Sequence, residues 1–318
     1  MAGQQKEAIK VSWAATLLAL PSIGVFFLAD ILAHPFAWQG TGPKFAEMTV
    51  AMARQDAAGR FFMLAAALAS FAIAYLIILR FVADLRDEFN APTRAWILGW
   101  YGGGVVVGAI WVATGCQQVP MADQLGKGFL KEALDHLDNR GLLPSLEHLA
   151  ICSRIAIMLA AGIVVTGGVS ALAEPRTPLK GDAAHAFLEH QHRRLRGYVN
   201  AAAALLVVSL VFQIAWTRWP LAALDPASAK AVIPHVDAFA AYTGVTGSLV
   251  ILLFAAPVAT MLAERAARLP ARATAAATPP LLDSGILASL GKIFAVLAPT
   301  LAGLAPGVLD LLGKTAGS

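Results

Sequence analysis

Long apolar runs separated by short polar segments make up most of this chain. Six of the runs are long enough to cross the roughly 30 Å hydrocarbon core of a bilayer as α-helices. In chain order they cover residues 11–33, 60–82, 94–115, 149–173, 198–216 and 238–263. The pattern therefore predicts an all-α integral membrane protein, a bundle of six transmembrane helices with short extramembrane helices in the polar segments. It also predicts short helices around residues 45–54 and from Asp182, a turn at 82–94, a kink at Pro21, and Trp216 and Trp219 as interfacial anchors.

The last part of the chain has a different pattern. An Ala/Pro-rich linker follows residues 1–272, the predicted six-helix domain, and leads to a segment whose large apolar residues fall on one helical stripe. Pro299 and Pro306 interrupt that segment, which carries little charge. These features favour a C-terminal amphipathic helix at the membrane interface within residues 273–318, with a seventh span as the alternative.

The third run is unusually rich in glycine, with Gly99, Gly102, Gly103, Gly104 and Gly108. Glycine costs a helix in water about 1 kcal/mol relative to alanine, but in lipid small residues allow another helix to approach closely. We therefore expect the third helix to be packed at the centre of the bundle.

The composition supports a membrane protein and excludes other classes. Hydrophobic residues make up 58% of the chain and charged residues only 14%, against about a quarter in soluble domains. The net charge is +4, but the Lys and Arg residues lie at the ends of apolar runs and form no basic face. The expected partners are the lipid bilayer and a membrane protein, either a different chain or a second copy, and no nucleic acid.

Few strongly polar residues lie inside the runs, and each is a candidate functional group because its burial in lipid is costly. Asp30 lies near the end of the first run, and Arg154 lies about one turn inside the fourth, at the same predicted depth. We predict an ion pair between them, which acts either as a clasp between helices or as part of an ion path. Gln213, Thr243 and Thr246 add groups that either hold helices together or line that path.

Three histidines and two cysteines are further candidates. His34, His148 and His235 precede or follow three runs at one predicted boundary, where imidazoles suit copper or zinc, although no ligand spacing joins them. Scattered interfacial histidines are the alternative. Cys116 and Cys152 are too few for a four-cysteine metal site in this chain, and a disulfide between them would link the third and fourth helices.

Sequence motifs specify neither a reaction nor a cofactor. The signatures G-x-S-x-G and H-E-x-x-H, the phosphate-binding loop and the dinucleotide fingerprint do not occur, so the sequence gives no support to an enzyme. The polar residues inside the runs favour a transporter- or channel-like protein with a path for a small solute or ion. The alternatives are a non-catalytic membrane subunit or anchor of a larger complex, and a metal- or haem-binding redox subunit.

The distribution of Lys and Arg sets the expected orientation. With a cytoplasmic N-terminus, the inner segments carry about twice the density of basic residues found in the outer loops. We therefore expect a multi-pass protein of a bacterial inner membrane with residues 116–148 on the outer side.

This topology predicts opposite labelling of two engineered cysteines. A membrane-impermeant thiol reagent should modify Gly126→Cys in intact cells and spare Lys180→Cys, because only the first lies on the outer side. The unsubstituted chain provides the background from its own cysteines. The reverse labelling pattern would invert the orientation.

Overall fold

The protein is described by a computed structural model at residues 9–10, 17–33, 44–45, 49–113, 133, 136–137, 143–175 and 179–269. Its longer helices, in chain order, are α1 Leu20–Ala33, α2 Val50–Glu88, α3 Ala91–Ala113, α4 Leu143–Val169, α5 Asp182–Arg218 and α6 Pro226–Ala267. Short 3₁₀ helices, Ser170–Leu172 and Trp219–Ala223, follow α4 and α5. Strands β1 (Ile9–Lys10) and β2 (Glu174–Pro175) form a two-residue antiparallel ladder.

Four helical segments in the described residues are long and apolar enough to cross a membrane: Met52–Glu88, His148–Leu172, Asp182–Ala223 and Pro226–Ala267. They belong to α2, α4, α5 and α6. The all-α class of the sequence prediction is therefore confirmed, whereas its six spans are not. Helix α1 has 14 residues, which rise about 21 Å and fall short of the hydrocarbon core. The predicted helix within 273–318 lies outside the described residues.

Three of the helices are much longer than a membrane span. Helices α2, α5 and α6 contain 39, 37 and 42 residues, and at 1.5 Å per residue they extend about 55–63 Å. The predicted separate helices near residues 45–54 and after Asp182 are therefore mostly continuous parts of α2 and α5. The predicted turn at residues 82–94 is also wrong in its first half, since 83–88 contains no glycine or proline and continues α2.

Local sequence signals account for the helix boundaries. The Asn90 side chain accepts a hydrogen bond from the Thr93 amide at 3.0 Å just where α3 begins. Asp225 caps α6 in the same way, and its hydrogen bonds from Ser228 lower the pKa of its carboxyl group. Pro21, predicted to kink the first span, lies in the first turn of α1, where a fixed φ favours helix initiation.

Helix α5 forms the centre of the bundle because it packs against α2, α4 and α6. Its Tyr198 is fully buried, and the ring lies directly on the backbone of Gly167 in α4. On the opposite side, Leu206 and Leu210 of α5 contact Gly247 and Gly244 of α6. Close helix approach at small residues therefore occurs in this protein, but on α4 and α6.

The prediction that the glycine-rich α3 is central is wrong. Helix α3 packs mainly on α4, through the buried Ile97 and through Tyr101, whose hydroxyl donates to the Leu159 carbonyl at 3.2 Å. Side-chain carbons added at Gly99, Gly102, Gly103 or Gly104 would meet no described atom within 4 Å. Glycine allows another helix to approach closely, but it does not by itself bring a helix there. These four glycines face away from the described neighbours of α3.

Large apolar side chains cover the outside of the bundle. Phe61 of α2 is 74% exposed, Leu68 of the same helix 65% and Val245 of α6 56%. An apolar surface of this extent is unusual for a protein in water. It is the surface expected of helices in contact with lipid.

Two glycine-to-alanine substitutions distinguish a glycine packed against another helix from a glycine with no described neighbour. Gly167→Ala should lower stability by about 1–3 kcal/mol, because the added carbon overlaps the buried Tyr198 ring. Gly103→Ala is the matched control and should be neutral or slightly stabilising, since it adds helix propensity in open space. Thermal unfolding of the purified variants in detergent measures both, and equal losses would contradict this account of α3.

Candidate functional site

Two of the predicted path residues come to one level of the bundle, on facing helices. Helices α4 and α5 run antiparallel, and the contact of Gly167 with Tyr198 sets their register. Counted from that contact toward the start of α4 and the end of α5, Arg154 and Gln213 reach similar levels. The guanidinium carbon of Arg154 lies 5.6 Å from the centroid of the Trp216 ring. We call Arg154, Gln213 and Trp216 the Arg154 cluster.

Most polar side-chain atoms of the Arg154 cluster are buried without hydrogen bonds. Nε and Nη2 of Arg154, both side-chain polar atoms of Gln213 and Nε1 of Trp216 have no partner among the described residues. The Gln213 side chain is 1% exposed and Trp216 is 4% exposed. Trp216, predicted from the sequence to be an anchor at the membrane surface, is therefore a core residue. Buried polar groups are almost always paired, and the exceptions often have a functional explanation.

Arg154 has no described counter-ion. No carboxylate in the described part of the chain lies within ion-pair distance of its guanidinium, which stacks instead on an aromatic ring. The side chain of Asp30, its predicted partner, lies outside the described residues, so this ion pair stays a prediction. The backbone of α1 is held by α6, where the Tyr242 hydroxyl donates to the Ala29 carbonyl at 2.7 Å.

The two predicted path threonines lie on α6. The Thr243 hydroxyl donates to the Phe239 carbonyl of its own helix at 3.1 Å, and Thr246 is half-buried. Ser248 on the same helix likewise donates to the Gly244 carbonyl at 2.8 Å. Side-chain bonds of this kind satisfy the hydroxyl group locally. Thr243 therefore does not add an unpaired group to the Arg154 cluster.

The described residues do not bring the predicted metal ligands together. His148 is exposed at the start of α4, and His235 is half-buried in α6. No group of three potential metal ligands occurs among the residues that the structure describes. His34 and Cys116 lie outside that part of the chain, and Cys152 is exposed on α4. The metal site and the disulfide therefore stay predictions.

A second polar group, which sequence reasoning missed, joins α2 to α5 at the opposite end of the bundle. Arg194 is 4% exposed, and its Nη1 donates to Glu88 at 2.5 Å while Nε lies 3.6 Å from Asp84. The Tyr198 hydroxyl donates to Asp84 at 2.7 Å, and His190 lies 2.9 Å from Glu88. We call these five residues the Arg194 network.

Aromatic rings complete the surroundings of the Arg194 network. The guanidinium carbon of Arg194 lies 4.5 Å from the centroid of the Phe89 ring, and that of Arg80 lies 5.1 Å from the centroid of Tyr198. Gly197 makes room for Arg80, because a side-chain carbon there would overlap the guanidinium. With Arg80 included, two arginines face two carboxylates, so the charges are balanced. One sequence feature could have indicated this network. Asp84 and Glu88 are four residues apart, as are Arg194 and Tyr198, so each pair lies on one face of its helix.

A third group, at the same end as the Arg154 cluster, ties α2 to the segment after α5. Arg60 contacts both carboxylate oxygens of Asp56 at 3.0 Å and donates to the Leu137 carbonyl at 2.7 Å. The indole N–H of Trp219 donates to Asp56 at 2.7 Å. Trp219 is thus a buried hydrogen-bonded residue, although the sequence suggested a surface anchor.

Comparison with known proteins gives no relative. No protein-family model, curated protein or solved structure matches this chain. Function is therefore inferred from the arrangement of the chain's own residues. Arginines lie in all three polar groups, but only Arg154 has no carboxylate partner among the described residues.

The Arg194 network predicts strong coupling between Arg194 and Glu88. Arg194→Gln and Glu88→Gln should each destabilise the protein, because the charge of the remaining partner is left uncompensated. The loss of stability should be at most about 3–5 kcal/mol, the value typical of a broken buried pair. The double variant should lose less than the sum of the two single losses.

The matched control for this cycle is Arg268→Gln. Arg268 lies 3.8 Å from Glu264 in a solvent-exposed pair, whose removal should cost only about 0–1 kcal/mol. Thermal unfolding in detergent gives all four values. Strictly additive losses at Glu88 and Arg194 would contradict the pairing.

Proposed function

We propose that this chain is a multi-pass protein of a bacterial inner membrane, with a cytoplasmic N-terminus, that moves a small solute or ion along the interface of α4 and α5. The four apolar helices support the membrane location. Under this proposal the apolar runs at residues 11–33 and 94–115, of which α1 and α3 are the described parts, complete a six-span bundle. The Lys and Arg distribution of the sequence supports the orientation.

The observation that carries the proposal is the unpaired Arg154 cluster. A guanidinium inside an apolar bundle is costly, and such residues mark substrate or ion pathways by default. Here the cost is not offset by a described counter-ion, and the neighbouring Gln213 amide is also unpaired. A solute bound between α4 and α5 would supply the missing hydrogen bonds.

The two ends of α5 differ in a way that suits alternating access. Tyr198 of the Arg194 network and Gln213 of the Arg154 cluster are separated by about 22 Å along α5. Between them the helix buries Ala202, Leu205, Leu206 and Leu210. This apolar section would block passage in the arrangement seen here, so transport requires a rearrangement of α5 against α4 or α2. The closed Arg194 network is the contact that such a movement would break.

A second candidate function has one observation in its favour. The outward glycines of α3 include Gly99 and Gly103, which have the four-residue spacing of close helix–helix contacts in membranes. This surface would suit a membrane subunit that binds another transmembrane helix. The Arg154 cluster has no role in such a subunit, so we place transport first.

A flux measurement tests the transport proposal. Purified protein in proteoliposomes should admit at least one member of a panel of chloride, small carboxylates, ammonium, glycerol and neutral amino acids faster than empty liposomes do. Arg154→Gln should reduce that rate about tenfold or more, because a hydrogen bond to a charged group contributes about 1.5–3 kcal/mol. Arg268→Gln, on an exposed surface pair, should leave it unchanged.

Two results would reject transport. One is a panel in which no solute enters above the empty-liposome rate. The other is an equal change of the flux rate in the Arg154→Gln and Arg268→Gln variants.

A further inference from the structure

On the basis of the proposed function, we propose that the solute is a small monovalent organic carboxylate, held by the side of Arg154 that carries Nε and Nη2. Both nitrogens are buried and have no described hydrogen-bond partner. They lie on one edge of the planar guanidinium, and their two N–H groups point the same way. That fork matches the two oxygens of a carboxylate in a bidentate pair.

The other unpaired atoms around Arg154 are mostly donors. The indole N–H of Trp216 can only donate, and the Gln213 amide offers two further N–H groups beside one carbonyl oxygen. Ser153, which precedes Arg154 and is fully buried, adds a hydroxyl without a described partner. A cluster with this excess of donors suits a ligand made of acceptors. A cation is disfavoured because Arg154 would repel it.

The charge and surroundings of the cluster narrow the anion further. A single positive charge balances a monovalent anion, whereas a divalent phosphate would need a second cation. Arg60, which stacks on Trp219 beside Trp216, is already paired with Asp56. Trp216 belongs to an apolar cluster that includes the buried Ala150, Phe212 and Ala215. These side chains would accommodate a short hydrocarbon substituent next to the carboxylate. Chloride would have to accept both N–H bonds at one atom, so it matches the fork less well than a carboxylate does.

A carboxylate at this site has two sources. One is the free solute, and the other is the chain's own Asp30, which the sequence predicts as the partner of Arg154. The chemistry at the guanidinium is the same in both cases. We assign the site to the free solute. If Asp30 were bound to Arg154, the N–H groups of Trp216 and Gln213 would have no role in transport.

Calorimetric titration of the full chain in detergent tests the assignment without any flux. Sodium acetate, propionate and benzoate should bind saturably, and sodium chloride at the same ionic strength should bind at least tenfold more weakly. Arg154→Gln should weaken carboxylate binding at least tenfold. Arg154→Lys keeps the charge but loses the fork, so it should weaken carboxylate binding while changing chloride binding little.

Further variants and an unfolding measurement make the titration decisive. Arg268→Gln should bind carboxylates as the unsubstituted protein does, and thermal unfolding checks that each variant is folded. Arg154→Lys tests the site if the neutral variant does not fold. Asp30→Asn distinguishes the two sources of carboxylate, and the site assigned here requires that the unsubstituted protein already binds free carboxylates.

Three outcomes would overturn the assignment. They are equal binding of chloride and carboxylates, unchanged carboxylate binding by both Arg154 variants, and binding that appears only after Asp30→Asn, which would assign the site to the internal carboxylate. Carboxylate binding without flux would support the site and reject transport. Flux of a different solute without carboxylate binding would reject the site and keep transport.

Discussion

The pairing of Arg194 with Glu88 and Asp84 is the interaction on which the bundle depends. Helix α5 packs against three neighbours, so a buried cation on it affects every interface unless its charge is neutralised in place. The two carboxylates come from the last turns of α2, and the Tyr198 hydroxyl binds one of them. Because Tyr198 also lies on Gly167, the same residue joins the ionic contact to the packing of α4 on α5.

Two arginines near the central helix illustrate opposite solutions to one electrostatic problem. Arg194 has carboxylates, a tyrosine and a phenylalanine ring around it, and its charge is compensated within the described structure. Arg154 has an aromatic ring and an unpaired amide. The first arrangement stabilises the fold, because the ions are compensated as they are buried. The second leaves a largely buried charge without a described counter-ion, which is why it is the more informative about function.

The sequence predicted helical content well and helix packing poorly, for physical reasons. Apolar runs of twenty residues specify helices on their own, and four of them correspond to candidate spans. Charged residues after an apolar run usually mark the end of a transmembrane helix, so the pattern did not reveal Asp84 and Glu88 as partners of Arg194. The glycines of α3 revealed that the helix could approach a neighbour closely, but the identity of a neighbour depends on contacts that no single segment encodes. From the sequence, the residues of the proposed site could be assigned only a depth in the membrane. Which of them lie close together depends on the register between α4 and α5.

The separation in sequence of the contacting groups has a consequence for how the protein is made. Glu88 meets Arg194 across 106 residues, and Asp56 meets Trp219 across 163. Helix α2 therefore leaves the ribosome long before α5 exists, so Asp84 and Glu88 near its end are still without Arg194. Its charges must stay hydrated until α5 has been synthesised. Assembly of the bundle is thus a late event, in which the arrival of α5 draws the earlier helices together.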